Sequence, residues 1–267
     1  MDNQLVIMFL FWPAVVVSCG LLNMLGSWTF SWSELIFDYF IGVLAGYFLF
    51  MGVQPDANAA YGFFFVFSHG FLGLLYFVSE GFRGNFSSPE TFFLAMAGIR
   101  LGGTIYCALL DRASAAIGAK LAPGPFFFSF LLAPVKLLFS SITSSVGFLI
   151  FIVGAIRAGV SKGNAGFAGG VFFTEFSPGG TDYYATTVGF TVHTWKGDCP
   201  FKHELYHTRQ YIYMCDWLMP FWVVGMLWGV ISAAIAKGTS VSYSLAIGAD
   251  GKKEVGNPLE VAAYHLG

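Results

Sequence analysis

The chain has 267 residues, of which 56% are hydrophobic and only 10% charged, with a formal net charge of −2. A water-soluble domain carries about 25% charged residues, so this composition excludes a chain that covers itself with a water-facing surface. It points to an integral, multi-pass membrane protein in contact with lipid, and the charge removes any electrostatic case for binding nucleic acid.

The opening Met1-Asp2-Asn3-Gln4 lacks the positive start of a cleavable signal peptide. The apolar run 5–25 is also too long for one, so a retained membrane helix is expected there. Further apolar runs of about 20 residues occupy 35–53, 60–78 and 92–110, the last with Arg100 in its middle. A Pro-rich break at 121–125 follows. Residues 126–156 are then apolar over a length too great for one ordinary span and short for two. Their serine-rich waist at 140–145 fits one long kinked helix, or a short in-plane helix leading into a span.

After Arg157 the composition changes to Gly, Thr and Tyr. Residues 169–176 read as a strand, and 184–195 as a second, from their alternation of β-branched and aromatic side chains. Lys196-Gly197-Asp198 is a turn, and Pro200 opens a helix that continues through Gln210. Residues 217–236 are again apolar, and a polar tail ends in a short Ala-rich helix. The expected fold is mainly α: a polytopic helical membrane domain over 1–157, and a small α+β domain over 158–267 that includes the apolar segment 217–236. About five or six hydrophobic helices are expected in all. No repeat is present, and Arg83, Arg112 and Lys120 are too evenly spread to set the orientation.

The most informative run is His203-Glu204-Leu205-Tyr206-His207, an H-E-x-x-H pattern. Positions i and i+4 share a helix face, so both imidazoles reach one metal ion, and Glu204 lies close enough to polarise a bound water. The bland alternative is a pair of surface histidines at the foot of a membrane helix. Cys199, His193 and His265 are further candidate ligands, each with a structural reading beside it. Cys19 and Cys107 read as inert core thiols, and a Cys199–Cys215 disulfide is left open. Arg100 reads as a clasp to Asp38 or Glu34, Lys136 as a snorkelling side chain, and His69 as a hydrogen-bonded core residue. The Phe runs at 63–65 and 126–128 are bulk, and no glycine pattern marks a nucleotide site.

The run extends to His203-Glu204-Leu205-Tyr206-His207-Thr208-Arg209-Gln210, and Asn257-Pro258-Leu259-Glu260-Val261-Ala262-Ala263-Tyr264 follows some fifty residues on. This pair resembles the small gluzincin-like metallopeptidase domains, in which an H-E-x-x-H-x-x-Q helix is completed by a later N-P-x-E-x-x-A helix. The resemblance covers only about the last 80 residues. It implies Zn2+ held by His203, His207 and Glu260, with Glu204 as general base and a peptide as substrate. Asp198, Asp216 and Gln210 are candidates to orient the imidazoles. The resemblance also requires that 217–236 not separate His203 from Glu260 across a bilayer, for instance by a break near Gly225 or Gly229. Two functions follow as expectations. One is a membrane-embedded zinc metallopeptidase. The other is a non-catalytic accessory subunit of a larger membrane complex, with membrane-protein partners and a structural or vestigial metal site.

Overall fold

A computed structural model of the protein describes residues 3–27, 30–53, 58–83, 89–116, 126–139, 142–161, 163–176, 184–196, 201–237 and 256–264. The described chain is mostly helical. Its helices are α1 (Asn3–Val6), a π turn (Ile7–Phe11), α2 (Trp12–Ser27), α3 (Trp32–Gly52), α4 (Ala59–Arg83), α5 (Pro89–Ala116), α6 (Phe126–Phe139) and α7 (Ile142–Ser161). Four strands follow: β1 (Asn164–Ala168), β2 (Val171–Glu175), β3 (Tyr184–Val188) and β4 (Thr191–Lys196). The chain then forms α8 (Phe201–Met214), a 3-10 turn (Cys215–Trp217), α9 (Leu218–Lys237) and α10 (Pro258–Tyr264). Among the described residues, five segments are long and apolar enough to cross a bilayer: Trp32–Gly52, Ala59–Tyr76, Phe92–Leu110, Ile142–Val160 and Lys202–Ser232.

Local chemistry explains the helix ends. Ser31-Trp32-Ser33-Glu34 forms the first half of a capping box, with the Ser31 hydroxyl accepting from the Glu34 amide at 3.3 Å. Asn58 caps α4 through the amides of Ala60 and Tyr61. Pro13 lacks an N–H for the Phe9 carbonyl four residues back. The π turn falls there, and the Tyr39 hydroxyl donates to that carbonyl at 3.4 Å. The 126–156 run divides into the short α6 and the span α7. Asp216 accepts from the amides of Ile142 at 3.2 Å and Thr143 at 3.0 Å, so it caps α7.

Two helices are interrupted, and Arg100 sits between the interruptions. Gly70 adopts φ +64° inside α4, where an added Cβ would lie 2.8 Å from the Leu138 carbonyl oxygen. Cys215 adopts φ +52° after α8. Each break frees carbonyls at the negative end of a half-helix. The buried Arg100 guanidinium donates to two of them, Ser68 O and Tyr213 O, and also reaches His69 Nδ1 and Cys215 Sγ. Arg100 therefore caps helix breaks rather than clasping Asp38 or Glu34. His69 is the hydrogen-bonded core residue expected, with Nε2 on the Ala45 carbonyl at 3.3 Å. Cys215 is a free buried thiol, so the pairing with Cys199 is not made. Lys136 does not snorkel; it is buried and donates to Gly169 O at 2.8 Å.

The sheet has the order β1-β2-β4-β3, with antiparallel outer pairs and β2 parallel to β4. The strand expected over 169–176 starts two residues later, because Gly169 and Gly170 (φ +58° and +74°) form the two-residue turn of a hairpin with β1. The single strand expected over 184–195 is likewise a hairpin, turning at Gly189 (φ +62°) and Phe190. α7 lies against this sheet through its small residues, since a Cβ on Gly154 would meet Thr174 at 2.9 Å. The main core gathers Trp12, Val16, Cys19, Ile41, Leu49, Phe65 and Met96 with Tyr211, Tyr213, Met214 and Leu259. Outside it, α7 and α9 expose large apolar side chains, among them Val153, Ile156, Val160, Val223, Leu227 and Ile235.

His193 lies in the sheet, not among the metal-ligand candidates. Thr191 donates its hydroxyl to Val188 O, so its oxygen accepts from His193 Nε2 at 2.9 Å, and Thr174 faces Nδ1 at 2.9 Å. Burial pulls the His193 pKa down to about 4, against a hydrogen bond with the Gly147 backbone. The unfolded chain titrates near 6.5, so between about pH 6.5 and 4 it takes up a proton that the folded sheet refuses. Acidification over that window should cost up to about 3 kcal/mol of stability, and His193→Gln should flatten the loss. Denaturant titrations at stepped pH measure both.

Candidate metal centre

α8 places His203, His207 and Gln210 on one face, at i, i+4 and i+7. α10 brings Glu260 to the same point. Asn257 sets the start of α10: its Oδ1 accepts from the Leu259 amide at 3.1 Å, and Pro258 occupies the first helical position. Asn257 Nδ2 donates to Trp222 O at 3.1 Å, and the Trp222 indole donates to Glu260 Oε1. The tail thus returns beside the first two turns of α9. That helix is continuous past Gly225 and Gly229, and the change of direction lies at Cys215 instead.

Three ligand atoms converge. His203 Nε2 and Glu260 Oε2 are 3.1 Å apart, His207 Nε2 and Glu260 Oε2 3.2 Å, and the two imidazole Nε2 atoms 3.2 Å. All three residues are buried, and the group could hold a metal ion. The triangle fits one face of a tetrahedron: ligands at about 2.0–2.1 Å from a tetrahedral ion stand about 3.3 Å from each other. Among the described residues the group offers three ligand atoms, one short of a tetrahedral set.

Gln210 fixes the chemistry of His207. Its Nε2 donates to Glu34 Oε1 at 2.8 Å and to Leu259 O at 3.1 Å, so its Oε1 faces His207 Nδ1, at 2.8 Å. Gln210 Oε1 therefore accepts from His207 Nδ1, which aims Nε2 at the other ligand atoms. Glu34 also accepts from Tyr206 and Tyr213, each at 3.1 Å. Burial pushes the Glu260 carboxyl up, but the two imidazoles outweigh it and hold the group well below the usual carboxylate range. Glu204 is buried beside the group, with Oε2 accepting from Thr187 of β3 at 2.6 Å. The Tyr264 ring packs on His203 at 4.3 Å.

Of the three orienting candidates, Gln210 has that contact, Asp216 caps α7, and Asp198 lies outside the described residues, as do Cys199 and His265. Sequence reasoning passed over Glu34, Thr187, Trp222 and Asn257 as site residues. Glu34 left a signal, a carboxylate at the head of an apolar run, but was matched to Arg100.

Gly225 is where α9 lets the tail approach. A Cβ there would crowd Asn257, with its Cγ at 2.7 Å. Gly225→Ala should displace the Asn257 cap at a cost of about 1–2 kcal/mol and loosen Glu260 with it. Thermal unfolding with and without added zinc reads the two effects separately. No known protein family, no curated protein and no solved structure matches this chain.

Proposed function

We propose that the chain is a multi-pass integral membrane protein whose C-terminal part is a zinc metallopeptidase centre, with His203, His207 and Glu260 as ligands and Glu204 as general base. The five long apolar segments and the wide apolar surfaces of α7 and α9 support insertion in lipid. The observation that carries the catalytic reading is the near-equilateral triangle of two imidazoles and one carboxylate, in the setting of H-E-x-x-H. Zinc held there would acidify a bound water toward neutral pH and polarise a carbonyl.

The protein's own residues supply the rest. Glu204 accepts the proton of the attacking water, and Thr187 fixes the orientation of its carboxylate. Gln210 keeps His207 in the ligating tautomer. Among the described residues β3 is an outer strand of the sheet and packs beside α8, so its outer edge would offer backbone donors and acceptors to an extended peptide. Glu204→Gln is expected to leave metal content unchanged and to lower hydrolysis of a fluorogenic peptide by about 10²–10⁴-fold.

The burial of all four side chains favours a second reading. Structural metal sites are closed, and here a metal would staple α10 to α8 within an accessory subunit of a larger membrane complex. Wild type and Glu204→Gln would then be equally inert, and His203→Ala would lose co-purifying membrane proteins.

A further inference from the structure

α3 carries two acids one helical turn apart, Glu34 and Asp38, both fully buried. Their surroundings are opposite. Glu34 is saturated: Tyr206, Tyr213 and Gln210 all donate to it. Among the described residues neither oxygen of Asp38 has a hydrogen-bond partner. Asp38 lies against α2 at Gly20, where a Cβ would meet its carboxyl. One turn along α2 stands Asn23, also fully buried. Its Nδ2 donates to the Tyr213 hydroxyl at 3.3 Å, and among the described residues its Oδ1 has no partner. Two orphaned acceptors therefore flank the network that serves Glu34.

Among the described residues no cation answers Asp38 directly. The Arg100 guanidinium of α5 is directed to Ser68 O, Tyr213 O, His69 Nδ1 and Cys215 Sγ. The other titratable or charged groups facing this region are Cys19 of α2, His69 of α4, Tyr206, His207, Arg209 and Tyr213 of α8, and Glu260 of α10. A buried carboxylate with no partner, one turn from a second carboxylate, is too costly to stand uncompensated. Natural folds pair such a group or neutralise it.

We propose that the Asp38 carboxyl binds a small compensating cation, a proton or an alkali-metal ion, at a site between α2 and α3. The site is distinct from the His203–His207–Glu260 group and stands whether or not that group is catalytic. Its occupant balances Asp38 while Glu34 remains the acceptor that holds Gln210.

Dicyclohexylcarbodiimide tests this on the full-length protein in detergent. The reagent is apolar and reacts with a protonated carboxyl. The acid proton goes to one nitrogen and the carboxyl oxygen to the central carbon; the acyl group then migrates to nitrogen as a stable N-acylurea, with nothing lost. In choline chloride at neutral pH, peptide mapping should find the adduct on Asp38. The adduct should be absent from Asp38→Asn and retained in Glu34→Gln. Several-fold slower labelling in sodium or potassium chloride at the same pH assigns the site to an exchangeable alkali ion. Labelling indifferent to salt assigns it to a proton. Wild-type protein that is unlabelled at Asp38 across the pH range, or labelled at Glu34 in its place, overturns the proposal, and this holds even if neither variant folds.

Discussion

His207→Ala is expected to lower the affinity for zinc by more than about 100-fold. The three ligand atoms lie within 3.1–3.2 Å of one another, so removing one imidazole leaves two points of a face instead of three. Loss of an outer partner alone typically costs 10–100-fold, and a ligand must cost more. Gln210→Ala supplies that comparison, because it removes the lock on the His207 tautomer and leaves all three ligands in place. Competition against a chelating dye ranks the variants. The expected order is wild type, then Gln210→Ala, then His207→Ala. Equal affinities for wild type and His207→Ala would remove His207 from the site. In metal-free protein His207→Ala should still destabilise, because it removes a hydrogen-bond partner of the buried Glu260 carboxylate.

Glu34→Leu should be the most disruptive change outside the ligands. It strands the Tyr206 and Tyr213 hydroxyls and the Gln210 amide, all buried. Each stranded donor costs about 1–3 kcal/mol, so at least about 3 kcal/mol of stability is at stake. Metal affinity should fall as well, by about 10–100-fold, since Gln210 is then free to turn away from His207. The link is testable by a double-mutant cycle. Glu34→Leu and Gln210→Ala act through one chain of contacts, so their effects on zinc affinity should be strongly non-additive. Additive effects would show that Glu34 does not reach the metal ligands through Gln210.

The parts of this arrangement that were legible in the sequence are those fixed by short spacing. His203 and His207 are one helical turn apart, and any helix there brings them to one face. The meeting of Glu260 with them was expected only through the resemblance of two short motifs. Glu34 was visible as an acid at the head of an apolar run, but its partner Gln210 lies 176 residues away, and no periodicity encodes such a contact. The direction of the chain after α8 misled for a different reason. Glycine is the usual mark of a break, and Gly225 and Gly229 lie inside the apolar segment. Gly225 serves close packing with Asn257 instead, while the break falls on Cys215, a non-glycine residue held at φ +52°. The hairpin at 184–196 was hidden because its β-branched alternation runs up to both sides of Gly189 and one glycine suffices for the turn. Lys136 and Arg100 were read against lipid and acids, whereas both found backbone carbonyls, which sequence does not display.

X-ray absorption at the zinc edge, on protein purified without chelator, tests the central claim most directly. The account predicts one zinc per chain with two imidazole nitrogens and light oxygen scatterers at about 2.0–2.2 Å, losing one imidazole in His207→Ala. A metal-free chain, or a spectrum that His207→Ala leaves unchanged, would contradict it.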